Sequence, residues 1–209
     1  MDPKDAEAYF TRGDGSYLFS RWGRPIVPVV FGVEDATLAI VKGAIEAVVV
    51  LANHRMAETD PELGANLMVF FFRDWTELPE VPKLDAMIPE LGLLCDRLQS
   101  AGANQYRLFR FDADGAIKAA FIFVRMDAAL SGVPAETLAL AQAAQVILLW
   151  SDTAFAKTSP LAKAGGVAVL RPEIAALIRA GYDRTMPAVA QDPSHALRIA
   201  ARARIAEGA

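Results

Sequence analysis

Two stretches of alternating side chains, Tyr106 to Asp112 and Gly115 to Met126, are joined by Asp112-Ala113-Asp114-Gly115. Asp-Gly between two such runs marks a tight chain reversal, because glycine adopts the left-handed backbone that other residues resist. The pattern predicts a β-hairpin over about 105–126. Tyr106, Leu108 and Arg110 fall on one face of its first strand, Phe109 and Phe111 on the other. An isolated hairpin is marginal in water, so the chain must supply further strands and a cover.

Those strands lie upstream. Asn66 to Arg73 encloses Leu67-Met68-Val69-Phe70-Phe71-Phe72, an unbroken apolar run of strand length. Such a run suits a strand buried on both faces. Ile26 to Phe31 predicts another strand, where Pro28 cannot donate to a ladder and so marks an edge or an irregular start. Asp35 to about Ala57 predicts a long helix with Asp35 as its cap, since Leu38, Val41, Ala44, Ile45, Val48, Val49 and Ala52 recur at helical spacing. Leu78 to Lys83 is a connection, and Leu84 to Ser100 predicts a second helix, with Pro89 near its first turns and Gly102 closing it.

The last third turns helical. Helices are predicted over Ala135–Trp150 after Pro134, over Pro172–Ala180 before Gly181, and over Ser194–Glu207 with Ser194 as cap. Residues 153–170 read as a loop around Ser159-Pro160 and Gly165-Gly166. Residues 1–20 read as an arm or loop, and 21–209 as a single α+β domain with a mixed sheet of about four strands packed with helices.

Composition narrows the function. Of 209 residues, 54% are hydrophobic and 22% charged, which excludes a disordered or low-complexity chain. With 21 basic and 25 acidic residues the net charge is −4, no footprint for nucleic acid. Arg198, Arg202 and Arg204 read as a solvated helix face. No apolar run approaches the ~18 residues of a membrane span. The opening Met1-Asp-Pro-Lys-Asp is polar and acidic, so the chain as it stands is expected in the cytoplasm, and exported only if a leader precedes it. The high apolar fraction leaves a homo-oligomer open as a further reading.

Familiar catalytic patterns are incomplete. The lone Cys95 sits mid-helix, where cysteine is ordinarily a small core side chain. The two histidines, His54 and His195, form no His-x-x-x-His pair. His54 with Glu58 has helical spacing for a mixed metal site; the plainer reading puts His54 at the exposed end of its helix. No Gly-x-Ser-x-Gly elbow is present, and Gly13-Asp14-Gly15 and Gly165-Gly166 are too short for phosphate loops. Asp112-Ala113-Asp114-Gly115 starts like a calcium loop, but Ile117 to Arg125 brings no carboxylate. Asp60 and Glu62 flank Pro61 as a solvated turn would, and Trp22, Phe70, Phe71, Phe72 and Trp75 suit a core.

Several stretches in order carry a resemblance. They are Arg21-Trp22-Gly23-Arg24-Pro25-Ile26, Asn66 to Phe72, Ile88-Pro89-Glu90-Leu91, the hairpin, Ala176 to Asp183 and the final helix, together most of residues 21–205. The chain resembles a bacterial family with a domain of unknown function. Its members look zincin-like, are often exported, and bear a His-Glu-Glu-x-x-Gln helix followed by Gly-Leu-x-Asn-Asp. Registered on Gln145 and Asp152, which keep the family's spacing, Leu140 takes the histidine position, Ala141 that of the first glutamate and Gln142 that of the second. In a zincin the histidine binds metal and the adjacent glutamate activates water. Leucine and alanine do neither, so the resemblance implies a degenerate motif with no metal ligand, catalytic residue or cofactor to carry over.

What the resemblance leaves is a relic cleft of Gln142, Gln145, Asp152, Tyr182 and Asp183; the plainer reading makes these surface or capping residues. The expectation is a non-catalytic zincin-like domain that binds a small molecule or a protein. The alternative is a hydrolase using carboxylates and Tyr182, or a metal held by His54 and Glu58.

Overall fold

The computed structural model describes residues 1–207. Its centre is a four-stranded sheet in the order β2-β3-β5-β4. The strands are β2 (Pro28–Phe31), β3 (Leu67–Phe72), β4 (Gln105–Phe111) and β5 (Ile117–Arg125). β2, β3 and β5 run parallel, while β4 returns antiparallel to β5 and forms one edge. The mixed sheet and its hairpin give the expected α+β class. Pro28 lies on the opposite edge strand, where its missing N–H does least harm.

Period-two alternation divides the sheet between two cores. Leu67, Val69 and Phe71 of β3, with Ala120, Ile122 and Val124 of β5, face the larger one. That core is built with α2 (Asp35–Leu51), α6 (Ala135–Val146), α7 (Pro172–Gly181) and α8 (Ser194–Glu207). Met68, Phe70 and Phe72, with Phe121 and Phe123, face the smaller one. It is closed by Trp75, Leu78, Leu84, Ile88 and Leu91, from a 3-10 turn (Trp75–Glu80), α3 (Leu84–Met87), and α4 (Leu91–Ser100). Burial on both faces is why β3 reads as an unbroken apolar run.

Several boundaries differ from the sequence expectation. Residues 1–20, expected as an arm or loop, carry α1 (Pro3–Ala8), followed by Phe10 and Phe19, both fully buried, and by buried Tyr17. Phe10 stacks on Trp150 at 5.4 Å and meets Phe19 edge-on at 5.1 Å, so three well-spaced aromatics anchor an otherwise polar stretch. α2 stops at Leu51 because Asn53 takes a left-handed conformation (φ 51°). Its first residue is Asp35; the capping position belongs to Glu34, whose side chain makes no cap bond.

The helix expected over Leu84–Ser100 breaks into α3 and α4, with Pro89 between them and Glu90 left-handed at φ 57°. α6 ends at Val146, not Trp150. There the chain extends, and Leu149 donates its N–H to the Ser20 carbonyl at 2.8 Å. The supposed loop 153–170 contains a second hairpin, β6 (Leu161–Ala164) and β7 (Val167–Leu170), turning on Gly165 and Gly166, both at positive φ. At α8 Ser194 is the first helical residue and not the cap, and the Asp192 carboxylate accepts its N–H at 2.8 Å. The β1 (Phe19–Ser20) and β8 (Val189–Ala190) pair ties the N-terminal segment to the chain just before α8.

Candidate functional site

The antiparallel return of β4 leaves its outer edge without a strand neighbour among the described residues. A cleft of about 600 Å³ runs along that edge, between Gln105, Arg107 and Phe109 on one wall and Gln145, Trp150 and Asp152 on the other. A second cleft of about 910 Å³, between α6 and the β6–β7 hairpin, shares Gln105, Gln145, Phe155 and Ala156 with the first. The two form one groove bent across α6.

Strand parity decides which side chains meet α6. Gln105, Arg107 and Phe109 stand opposite Val124, Ile122 and Ala120, which belong to the larger core. Arg107 thus points to the face that α6 covers. Its Nη2 donates to Gln142 Oε1 at 2.8 Å and to Gln105 Oε1 at 3.3 Å. Gln142, only 3% exposed, donates from Nε2 to Gln105 Oε1 at 2.6 Å. Every acceptor in this triad is a neutral amide. The Nε of Arg107 is shielded from water and has no partner. Burial alone pulls the guanidinium down to about 10. A guanidinium removed from water is ordinarily matched to a carboxylate or phosphate. Here no carboxylate answers it.

The other expected site residues divide. Gln145 lies where the two clefts join and donates to the Ala141 carbonyl one turn back, at 3.1 Å. Asp152, on the groove wall, accepts the Gly13 N–H at 2.9 Å and so holds the N-terminal loop. Gln145 and Asp152 therefore share the lining of one cleft, and Gln142 lies buried behind it, bonded to Arg107 and Gln105.

Tyr182 and Asp183 are not. They line a separate cleft with Arg179 and Arg202. The Tyr182 hydroxyl donates to the Ile147 carbonyl at 2.8 Å and accepts the Trp22 N–H at 3.3 Å; burial pushes its phenol far up. Asp183 accepts from the Thr185 N–H at 2.8 Å and hydroxyl at 2.7 Å, and pairs with Arg202 at 3.3 Å. These bonds to Thr185 hold its carboxyl below the usual range.

Leu140 packs against the larger core, and Ala141 lines the groove. Among the described residues, no group of three or more His, Cys, Asp or Glu is placed to hold a metal ion. His54 and Glu58 do not share a helix, since α2 has already ended, and His54 Nε2 lies 2.9 Å from the Arg24 carbonyl. His195 is buried with Nδ1 2.7 Å from the Tyr17 hydroxyl, and burial pulls it down to about 4. Cys95 is buried and its thiol is pushed up, the reverse of an activated nucleophile.

Sequence reasoning missed Gln105 and Arg107. The available signal was polarity at two successive core-facing positions of a strand whose next such residue is Phe109. Compared with protein-family models, with curated proteins and with solved structures, the chain matches none. Among the described residues no helix is long and apolar enough to cross a membrane.

Proposed function

We propose that this protein is a non-catalytic, zincin-like binding domain, and that the groove beside β4 receives its partner. The observation that carries this reading is the open edge of β4 facing a groove along the strand. An unpaired edge offers backbone N–H and C=O groups in register for an extended segment, with pockets for alternate side chains. α6 supports the non-catalytic half of the reading. The positions that would carry a metal ligand and a base hold Leu140 and Ala141, and Gln142 is committed to Arg107 and Gln105.

Two measurements on the full chain test this. The metal content of the purified protein and a zinc titration followed by thermal shift should show neither bound metal nor stabilisation. Near-stoichiometric metal would overturn the non-catalytic reading. Backbone amide shifts recorded against a pool of extended peptides of mixed charge should move along β4 and the start of α6. Changes confined to another face would overturn the assignment of the groove.

A further inference from the structure

The proposed groove is cationic on a chain that is acidic overall. Its two clefts are lined by Arg12, Arg107, Lys157, Lys163 and Arg171, against the single carboxylate of Asp152. The whole chain carries −4, so this concentration of positive charge is local. Four of the five cations are free of ion pairs within the described residues; Arg171 alone has one, to Glu173 at 3.6 Å. Asp152 accepts from the Gly13 N–H, and its one negative charge leaves the lining of the groove net positive. At its inner wall stands Arg107, half-buried, with a water-shielded and unpartnered Nε and only amide oxygens as acceptors.

Resting on the reading of the groove as a binding site, we infer that its occupant is an acidic peptide segment. The segment lies extended along β4 and seats a carboxylate against Arg107. The β4 edge selects an extended backbone; the surplus of positive charge selects acidic side chains. Phe109, Trp150 and Phe155 supply apolar wall between the charges, so side chains alternating acidic and apolar fit the period of a strand. A carboxylate reaching Arg107 would turn a costly unpaired cation into a charge-assisted bond. Lys157 and Lys163, in the far cleft, would meet a second acidic position further along the segment.

The test uses the full chain and three fluorescent peptides of about ten residues, alternating valine with glutamate, glutamine or lysine. Anisotropy gives affinity, and amide hydrogen exchange of β4 reports strand pairing. The glutamate peptide should bind, weaken as salt rises from about 0.05 M to about 0.3 M, and slow exchange along β4; the lysine peptide should not bind.

Arg107→Met should weaken the glutamate peptide at least ~10-fold. Lys163→Glu, on an exposed hairpin where folding is not at stake, should weaken it several-fold. Equal binding of the glutamine and glutamate peptides would overturn the acidic specificity while leaving the groove reading intact. Failure of all three peptides would overturn both. Displacement by inorganic phosphate or by oligothymidylate, without protection of β4, would show a site for free anions or for nucleic acid and would overturn the peptide.

Discussion

Gln142→Glu should stabilise the protein. The substitution is isosteric and puts a carboxylate oxygen where Gln142 Oε1 now accepts from Arg107 Nη2 at 2.8 Å. Burial lowers the guanidinium well below its ordinary value, to about 10, a penalty on the charged form of ~3 kcal/mol before solvent screening. Arg107 is half-buried as a whole, so water relieves part of that figure. A charge pair at ~4 Å between centres gains ~4 kcal/mol at an effective dielectric of 20. Burying the new carboxylate, and turning the Gln105 amide to donate to it, takes back most of this gain. The expected net is ~1–2 kcal/mol of added stability at pH 7. It should appear as a higher urea midpoint with an unchanged slope.

The sign with pH follows from the paired carboxyl. Its folded-state pKa is depressed, so its contribution is present above the unfolded value near 4.3 and lost as pH falls below that. The internal carboxylate would also compete with an acidic ligand, so stability and peptide affinity should move in opposite directions. A destabilisation of ~1 kcal/mol or more at pH 7, with a glutamate peptide still bound, would refute the reasoning. It would show that Arg107 does not lack a counter-ion.

Other consequences can be measured on the same footing. His195 is neutral when folded, pulled down to about 4 chiefly by burial and then by Arg198. Its stabilising contribution is therefore present above pH 6.5 and lost as pH falls toward 4; wild type should shed ~3 kcal/mol more than His195→Gln across that interval in urea melts. Gly32→Ala should cost ~3 kcal/mol or more, because a Cβ there would lie 1.9 Å from the Phe71 carbonyl oxygen at φ +79°. Gly64→Ala, at φ +73° in open space, should cost only ~1 kcal/mol. Trp22→Phe should cost ~2–4 kcal/mol in the same assay, since Trp22 is fully buried and donates Nε1–H to the Val146 carbonyl at 2.9 Å.

The sheet was largely legible because its signals are local. The β4–β5 hairpin follows from alternation around Asp112 to Gly115, and Gly115 takes φ +84° as that turn requires. β3 follows from its apolar run. What escaped depends on distant partners. Phe10, Tyr17 and Phe19 look sparse in sequence and become core only because Trp150 and His195 come to meet them. The early end of α6 has no glycine or proline to announce it. Leu148 and Leu149 leave the helix to pair with Arg21 and Ser20 instead. The β6–β7 hairpin was hidden because Gly165-Gly166 marks a turn without saying that four-residue strands flank it.

The candidate site shows the same limit in chemical form. Reading α6 alone finds Gln142 and Gln145, because polar residues on a largely apolar helix stand out. It cannot find Arg107, 35 residues upstream, whose meaning appears only when strand parity turns it toward Gln142. The pairing bears on what α6 does. A domain selected for packing alone has little reason to keep a guanidinium half-buried among amides, since an apolar side chain of similar volume is often neutral or stabilising at such a place. Leu140 and Ala141 fit an apolar wall. Arg107 and Gln142 between them keep a positive charge half-buried, oriented and without a carboxylate partner beside an open strand edge. On the proposed reading of the groove as a binding site, that arrangement holds the site ready before a ligand arrives, with an unfavourable charge tolerated in the free protein and relieved on binding.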